Sequence, residues 1–303
     1  MLGISTCWWH NKADRVDHIL DEILQLGLEG AELEYRITHS MYQEMKPRLK
    51  RTLPVLSVHN VFPIPEGLGP DAGSGDLFLL SSTDSQERSR AVKYAIRTIE
   101  HAHDLEAQAV VLHLGRVDMP NAAQEFSRLY NRDKVHEKEA LTFMDAQRST
   151  RQATGRKTLD VVLLGLEKLN NEAEKKRVFL GIENRYHFHE IPNFEEIGLI
   201  LKTFQGGHIR YWHDVGHARV QENLGIIGHN DLLNAYSEEM IGIHLHDVRG
   251  LKYHLAPGQC EIDYQAIKPF LKPSTIKILE LNAYTVQWED LSEGIRLIQT
   301  SGL

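Results

Sequence analysis

Histidines and carboxylates are the side chains here whose positions could do chemistry. The chain holds 17 histidines among 303 residues, and histidine is both the commonest metal ligand and the side chain that exchanges protons near neutral pH. Several of them, with several acids, stand where short apolar runs end. VLSVHN carries His59 and VVLHLG carries His113; LGIEN carries Glu183 and YWHDVGH carries Asp214 and His217. IGIHLHD carries His244, His246 and Asp247, and ILELN carries Glu280. Taken singly, each has a plain explanation. A histidine at a strand end is usually a satisfied hydrogen-bonding group, and Asp214 could simply cap the helix that follows it. Glu183 and Glu280 are harder to explain this way, because each follows an apolar stretch where a lone charge is costly. Gathered on one rim, three carboxylates would repel one another unless a cation neutralised them. The expectation is a divalent-metal site.

The elements that must carry these residues are legible as alternation. Apolar runs of strand character lie at Leu2–Thr6, Ala31–Tyr35, Val55–Val61, Ala109–Leu114, Val178–Glu183, Ile209–His213, Ile241–Leu245 and Ile276–Leu281. Consecutive Val, Ile and Leu are what parallel strands buried on both faces require. Helical periodicity separates them, at Asp14–Leu26 (with Gly27 as C-cap), Ser85–Leu105, Phe194–Phe204, Tyr264–Leu271 and Leu291–Ile298, with weaker patterns at Tyr42–Lys50 and Leu232–Met240. Strand–helix alternation repeated eight times predicts a single-domain (β/α)8 TIM barrel over residues 1–303, with the strand ends forming the rim of the site. An open doubly wound sheet competes, but no G-x-G-x-x-G follows the first run.

Such barrels need about 250 residues. The surplus falls between the fourth and fifth runs, in Val117–Arg177. The polar stretch Asn121–Lys157 there predicts an added helix, within an insertion at about 117–157, and apolar Leu159–Leu169 the normal one. Pro63–Ser82 is a second long loop and a candidate lid.

Composition excludes several classes. Hydrophobic residues are 42% and charged residues 25%, the balance of a globular chain. A net charge of −8 creates no general basic field for nucleic acid, and no apolar run approaches the roughly 18 residues of a membrane span. Two cysteines, Cys7 and Cys260, cannot make a disulfide framework, and no signal peptide is visible in MLGISTCWWH. A cytoplasmic location is therefore expected, with both thiols structural. No G-x-S-x-G elbow and no P-loop is present.

The ordered set His59, His113, Glu183, Asp214-x-x-His217, His244-x-His246-Asp247 and Glu280 resembles the xylose-isomerase-like TIM-barrel superfamily. That group includes sugar-phosphate isomerases, ketose 3-epimerases, inosose-handling enzymes and apurinic-site endonucleases of the endonuclease IV type. For the epimerases the resemblance implies one divalent metal held by Glu183, Asp214, His244 and Glu280. For the endonucleases it implies further metals, with His59 and His113 on one and His217 on another. The endonucleases' third metal also needs Asp-x-His after the seventh strand. Here the stretch reads Lys252-Tyr253-His254, and an ammonium cannot ligate a cation.

The reading that follows is a metal-dependent isomerase or epimerase of a sugar, sugar phosphate or related polyol-ketone. Glu183 and Glu280 would be its catalytic acid/base pair, moving a proton on and off carbon through an enediolate. The alternatives on the same fold are a phosphodiesterase or apurinic-site endonuclease, or a dehydratase. An oxygen-rich set suits Mn²⁺, Mg²⁺ or Co²⁺, and recruiting His59 and His113 would shift the preference toward Zn²⁺, Fe²⁺ or Ni²⁺. Those two histidines either join the metal or orient substrate and water. Basic residues after the strands (Arg36, Arg116, Arg185, Arg249 and Lys252) suggest an anionic, sugar-like small molecule as partner. The resemblance to the epimerases implies substrate contacts at His217 and, nearest its pattern after the seventh strand, Arg249; His246, Arg116 and Arg185 are the further expected contacts. His101, His103, His136 and His229 are expected at the surface.

Overall fold

The computed structural model describes residues 1–10, 16–49 and 51–303. Eight parallel strands close into a barrel: β1 (Leu2–Ser5), β2 (Gly30–Leu33), β3 (Val55–His59), β4 (Ala109–Leu112), β5 (Phe179–Glu183), β6 (Ile209–Asp214), β7 (Met240–Leu245) and, after a small hairpin, β10 (Ile276–Leu279). Each pairs with its neighbours in chain order, and β10 returns to β1 through Gly3 opposite Ile278. The hairpin, β8 (Asp247–Arg249) with antiparallel β9 (Lys252–Leu255), follows β7 directly. Its short polar strands give no apolar run to read from sequence.

The strands are apolar along their length because both faces are covered. Outward residues such as Val58, Val110, Leu180 and Leu245 join the helices in one continuous core. Inward, Leu56, Ala109, Val111, Trp212, Ile276 and Ile278 form a separate plug inside the barrel. Trp212 is fully buried, and two glycines make room for it. A Cβ at Gly242 would stand 2.1 Å from the indole, and one at Gly181 2.9 Å. Above this plug the inward positions turn polar, and there the chemistry begins.

The helices are α1 (Val16–Gln25), α2 (His39–Met45), α3 (Ser85–Asp104), α4 (Ala123–Asn131), α5 (Lys138–Lys176), α6 (Phe194–Thr203), α7 (Val215–Asn223), α8 (His229–Tyr236), α9 (Tyr264–Ile267) and α10 (Trp288–Ser301). The expected start of the first helix at Asp14 and the end of the second at Lys50 lie outside the described residues. The insertion holds the expected added helix, α4, but the normal helix begins earlier than expected: the polar stretch from Lys138 on and apolar Leu159–Leu169 belong to one 39-residue helix, α5. Its buried stripe already includes Arg151 and Gly155, so the change of composition near Lys157 marks a change of neighbours rather than a break. Two helices, α7 and α8, follow β6 where one was expected. His229 is not at the surface: it is 8% exposed, with Nε2 3.0 Å from His213 Nε2. No helix among the described residues is long and apolar enough to cross a membrane.

The plug makes a direct prediction. Trp212→Ala should destabilise the fold by about 3–5 kcal/mol through the cavity it leaves. Gly242→Ala should cost about 1–3 kcal/mol through overpacking against the indole. Urea denaturation measures both, and unchanged stability in either variant would contradict this packing.

Candidate metal centre

Four strands deliver the predicted donors to one point. Glu183 closes β5, Asp214 closes β6, His244 lies near the end of β7, and Glu280 follows β10 directly. One ligand atom from each lies within 4.8 Å of the others. His244 Nδ1 stands 2.8 Å from Glu183 Oε1, 3.1 Å from Glu280 Oε2 and 3.6 Å from Asp214 Oδ2. All four are buried, none more than 6% exposed. Burial alone would raise the Glu183, Asp214 and Glu280 carboxyls, yet the surrounding histidines hold each below the usual carboxylate range. Burial would likewise lower His244, but Glu280 and Glu32 carry it well above the ordinary imidazole value. The set demands positive charge at its centre. Three carboxylate oxygens and one imidazole nitrogen fit a divalent ion of the Mn²⁺, Co²⁺ or Zn²⁺ type.

The supporting groups explain how these donors are aimed. Asp214 caps α7 as expected, its Oδ1 accepting the His217 amide at 2.6 Å, while Oδ2 faces His244. Asn184 pins the same turn, its Oδ1 accepting the Asp214 amide at 2.7 Å and the Tyr211 hydroxyl at 3.0 Å. Sequence reasoning missed Glu32. This fully buried inward residue of β2 has Oε2 3.2 Å from His244 Nε2, and it accepts from Ser57 Oγ at 2.8 Å. In that position it would hold Nε2 and leave Nδ1 for a cation, as outer carboxylates do for metal-binding histidines. The available signal was the alternation Ala31-Glu32-Leu33, which turns the acid opposite to its apolar neighbours.

Two strand-end residues act differently from expectation. His246 does not line the cavity. Its Nδ1 accepts the His254 amide at 2.9 Å, so its Nε2 carries the hydrogen, lying 3.0 and 3.1 Å from the two Asp214 oxygens. Both ring nitrogens are thus used within the protein, and the ring holds Asp214 rather than facing the cavity at Glu280. Asp247, counted among the potential ligands, latches a loop: it accepts the amides of Gly258, Cys260, Glu261 and Ile262.

His59, His113 and Glu183 form an adjoining set of potential ligands. His113 Nε2 lies 2.8 Å from Glu183 Oε2, and its Nδ1 lies 3.2 Å from Asp76 Oδ2 on the expected lid loop. Burial and Arg185 would lower the His113 imidazole, but Asp76 and Glu183 outweigh them and push it up to about 9. His217 Nδ1 lies 3.0 Å from the Asn184 carbonyl, and the ring stacks on Tyr186. Burial pushes it down to about 4 against the pull of Asp214 and Glu183, so it is neutral at pH 7.

A cavity of about 70 Å³ opens on Glu280, lined by Cys7, His10, Tyr35, Arg36, His254 and Tyr284 among others. His254, on β9, brings Nε2 to 3.5 Å from Glu280 Oε2 with its backbone at φ +59°, a conformation that functional positions often impose at some cost. Of the expected substrate arginines, Arg185 turns inward and is 6% exposed. Arg116 is exposed and lines a cavity of about 490 Å³ with Ser81 and His189. Arg249 is exposed on the hairpin, paired across it with Lys252, and does not line the cavity at Glu280. Cys7 is buried with Sγ 3.4 Å from the Leu281 carbonyl, while Cys260 is half-buried.

Comparison with known proteins agrees with this architecture. The model of a family described as xylose isomerase-like TIM barrel matches residues 20–300. A 3-keto-D-glucoside 4-epimerase from E. coli superposes with TM-score 0.68 at 12% identity, over 99% of this chain and 98% of that one. A D-allulose 3-epimerase from Methylomonas sp., in complex with D-allulose, gives TM-score 0.63 at 11% identity, over 99% and 96%. A Thermus thermophilus protein soaked with zinc chloride gives 0.59 at 16% identity, over 99% and 97%. Comparison with curated protein sequences gives no match. With a closed eight-stranded barrel and a family match over most of its length, the chain belongs to the xylose isomerase-like TIM-barrel family.

Proposed function

We propose that this protein is a divalent-metal-dependent isomerase or epimerase of a sugar or sugar-like polyol-ketone. The observation that carries this reading is the convergence of Glu183, Asp214, His244 and Glu280 on one buried point, with Glu280 also bordering a cavity. Relatives of the same fold, named as epimerases of 3-keto-D-glucoside, L-ribulose and D-allulose, support the substrate class.

A divalent ion held by the four donors would act as a Lewis acid on a carbonyl and its neighbouring hydroxyl, making the carbon-bound hydrogen between them acidic. The protein's own groups divide the remaining work. Glu280, on the cavity side, takes that proton from one face of the carbon, with His254 beside its carboxylate. Glu183, the second carboxylate of the pair, returns a proton to the opposite face in an epimerisation, whereas in an isomerisation the proton goes back to the neighbouring carbon. His217, neutral and with its hydrogen directed to Asn184, offers Nε2 to a substrate hydroxyl. Arg36, stacked on Tyr35 at the cavity edge, supplies positive charge for an anionic group of the substrate. Asp214 and His244 hold position, kept there by His246 and Glu32.

Two experiments test this reading. Incubation with keto sugars in deuterated water, with Mn²⁺ present, should place solvent deuterium on carbon. Glu280→Gln should slow that exchange by ~10²-fold or more, the ordinary contribution of a positioned acid/base. Undiminished exchange in the variant would remove Glu280 from the proton transfer. Glu32→Gln should retain the fold but bind the metal about 10–100-fold more weakly, as read by isothermal titration. Unchanged affinity would show that Glu32 does not position His244.

A further inference from the structure

The adjoining set His59–His113–Glu183 looks on composition like a second metal site, but its inner corner already contains a cation. Arg185 leaves β5 two residues after Glu183 and folds back into the barrel mouth. Its Nη1 is within hydrogen-bonding distance of His113 Nε2 and donates to Glu183 Oε2 at 2.9 Å. These are the two atoms through which His113 and Glu183 approach each other, 2.8 Å apart. On its far side Nη2 donates to Glu190 Oε1 at 3.0 Å and lies 3.7 Å from Asp76 Oδ2, and the residue's own carbonyl accepts Gln221 Nε2. The loop above closes the corner further. A Cβ on Gly75 would meet His113 Nδ1 at 2.5 Å and His59 Cε1 at 2.9 Å, so the backbone passes directly over both imidazoles.

We infer that Arg185 takes the place of a second metal ion in this centre, so that the protein binds one divalent cation and the His59–His113–Glu183 corner binds none. A guanidinium carries five donors and never deprotonates in proteins. It therefore occupies Glu183 Oε2 and stands against His113 Nε2 without offering a lone pair of its own, and its charge repels any ion that approaches them. The same contact fixes the division of labour at Glu183. Oε2 belongs to Arg185 and His113, and Oε1 is left toward His244 and the remaining metal site. Arg185 is thus a positioning residue whose charge does the structural work of a cation.

This inference rests on the metal-dependent reading above, and metal counting separates the two. Protein stripped with a chelator, then dialysed against excess Zn²⁺ and freed of unbound ion, is measured by plasma emission alongside Arg185→Ala and the bulk-preserving Arg185→Met. The native protein should hold one ion per chain. Removing the guanidinium should raise the count to two in whichever variant keeps a native circular dichroism spectrum, with zinc absorption-edge spectra reporting added imidazole ligands. Two ions in the native protein would overturn the inference and leave the metal-dependent reading standing. One ion in a folded variant would also overturn it, because the guanidinium would not be what excludes the second. No ion in the native protein would overturn the metal-dependent reading itself, and this inference with it.

Discussion

Three buried carboxylates around one imidazole are the constraint on which the rest of the molecule depends. Desolvating a single ionised carboxylate costs several kcal/mol even after relaxation, and Glu183, Asp214 and Glu280 share one pocket. Such a cluster persists only where positive charge is delivered from all sides. His244, His254, His113 and Arg185 are arranged to do this, each within 3.6 Å of a carboxylate oxygen, and His246 adds a hydrogen bond to Asp214. A divalent ion at the centre would satisfy the three acids at once. The chemistry proposed for the site, drawing a proton from carbon next to a polarised carbonyl, needs the same concentration of charge.

The barrel explains how residues so far apart in sequence meet. Parallel strands in a closed ring present alternate residues inward, so each strand contributes few side chains to the mouth. The lower positions are spent on Trp212 and its aliphatic neighbours, which seal the interior. The upper ones are spent on Glu32, Ser57, His59, Glu183, Asp214 and His244. This apolar floor keeps water away from the underside of the cluster, which strengthens every electrostatic contact above it. The hairpin after β7 and the loop carrying Gly75 and Asp76 complete the enclosure from above.

Most of the barrel was legible because parallel strands buried on both faces need unbroken apolar runs, and each of the eight runs matched a strand to within two residues. The convergence of Glu183, Asp214, His244 and Glu280 was legible because a lone acid ending such a run, like Glu183 or Glu280, requires a partner. What was not legible depends on direction in space. Glu32 lies inside a strand and reads as an ordinary polar alternation until the closed barrel shows which face is inward. Arg185 resembles the other rim arginines in sequence, yet it turns inward while Arg116 and Arg249 turn out. His246 and Asp247 share the donor chemistry of the four converging residues, but backbone amides from Gly258 to Ile262 and from His254 claim their lone pairs. The hairpin β8–β9 is too short and too polar to announce itself, although it carries His254 to Glu280.

The shared cation is tested most directly by diffraction from crystals soaked in Mn²⁺, with data collected to reveal the ion's anomalous signal. A single strong peak within about 2.0–2.4 Å of a carboxylate oxygen from each of Glu183, Asp214 and Glu280 and of Nδ1 of His244 is the expected result. A map without a peak among these four side chains, or with the ion bound elsewhere and the four drawn apart, would contradict it.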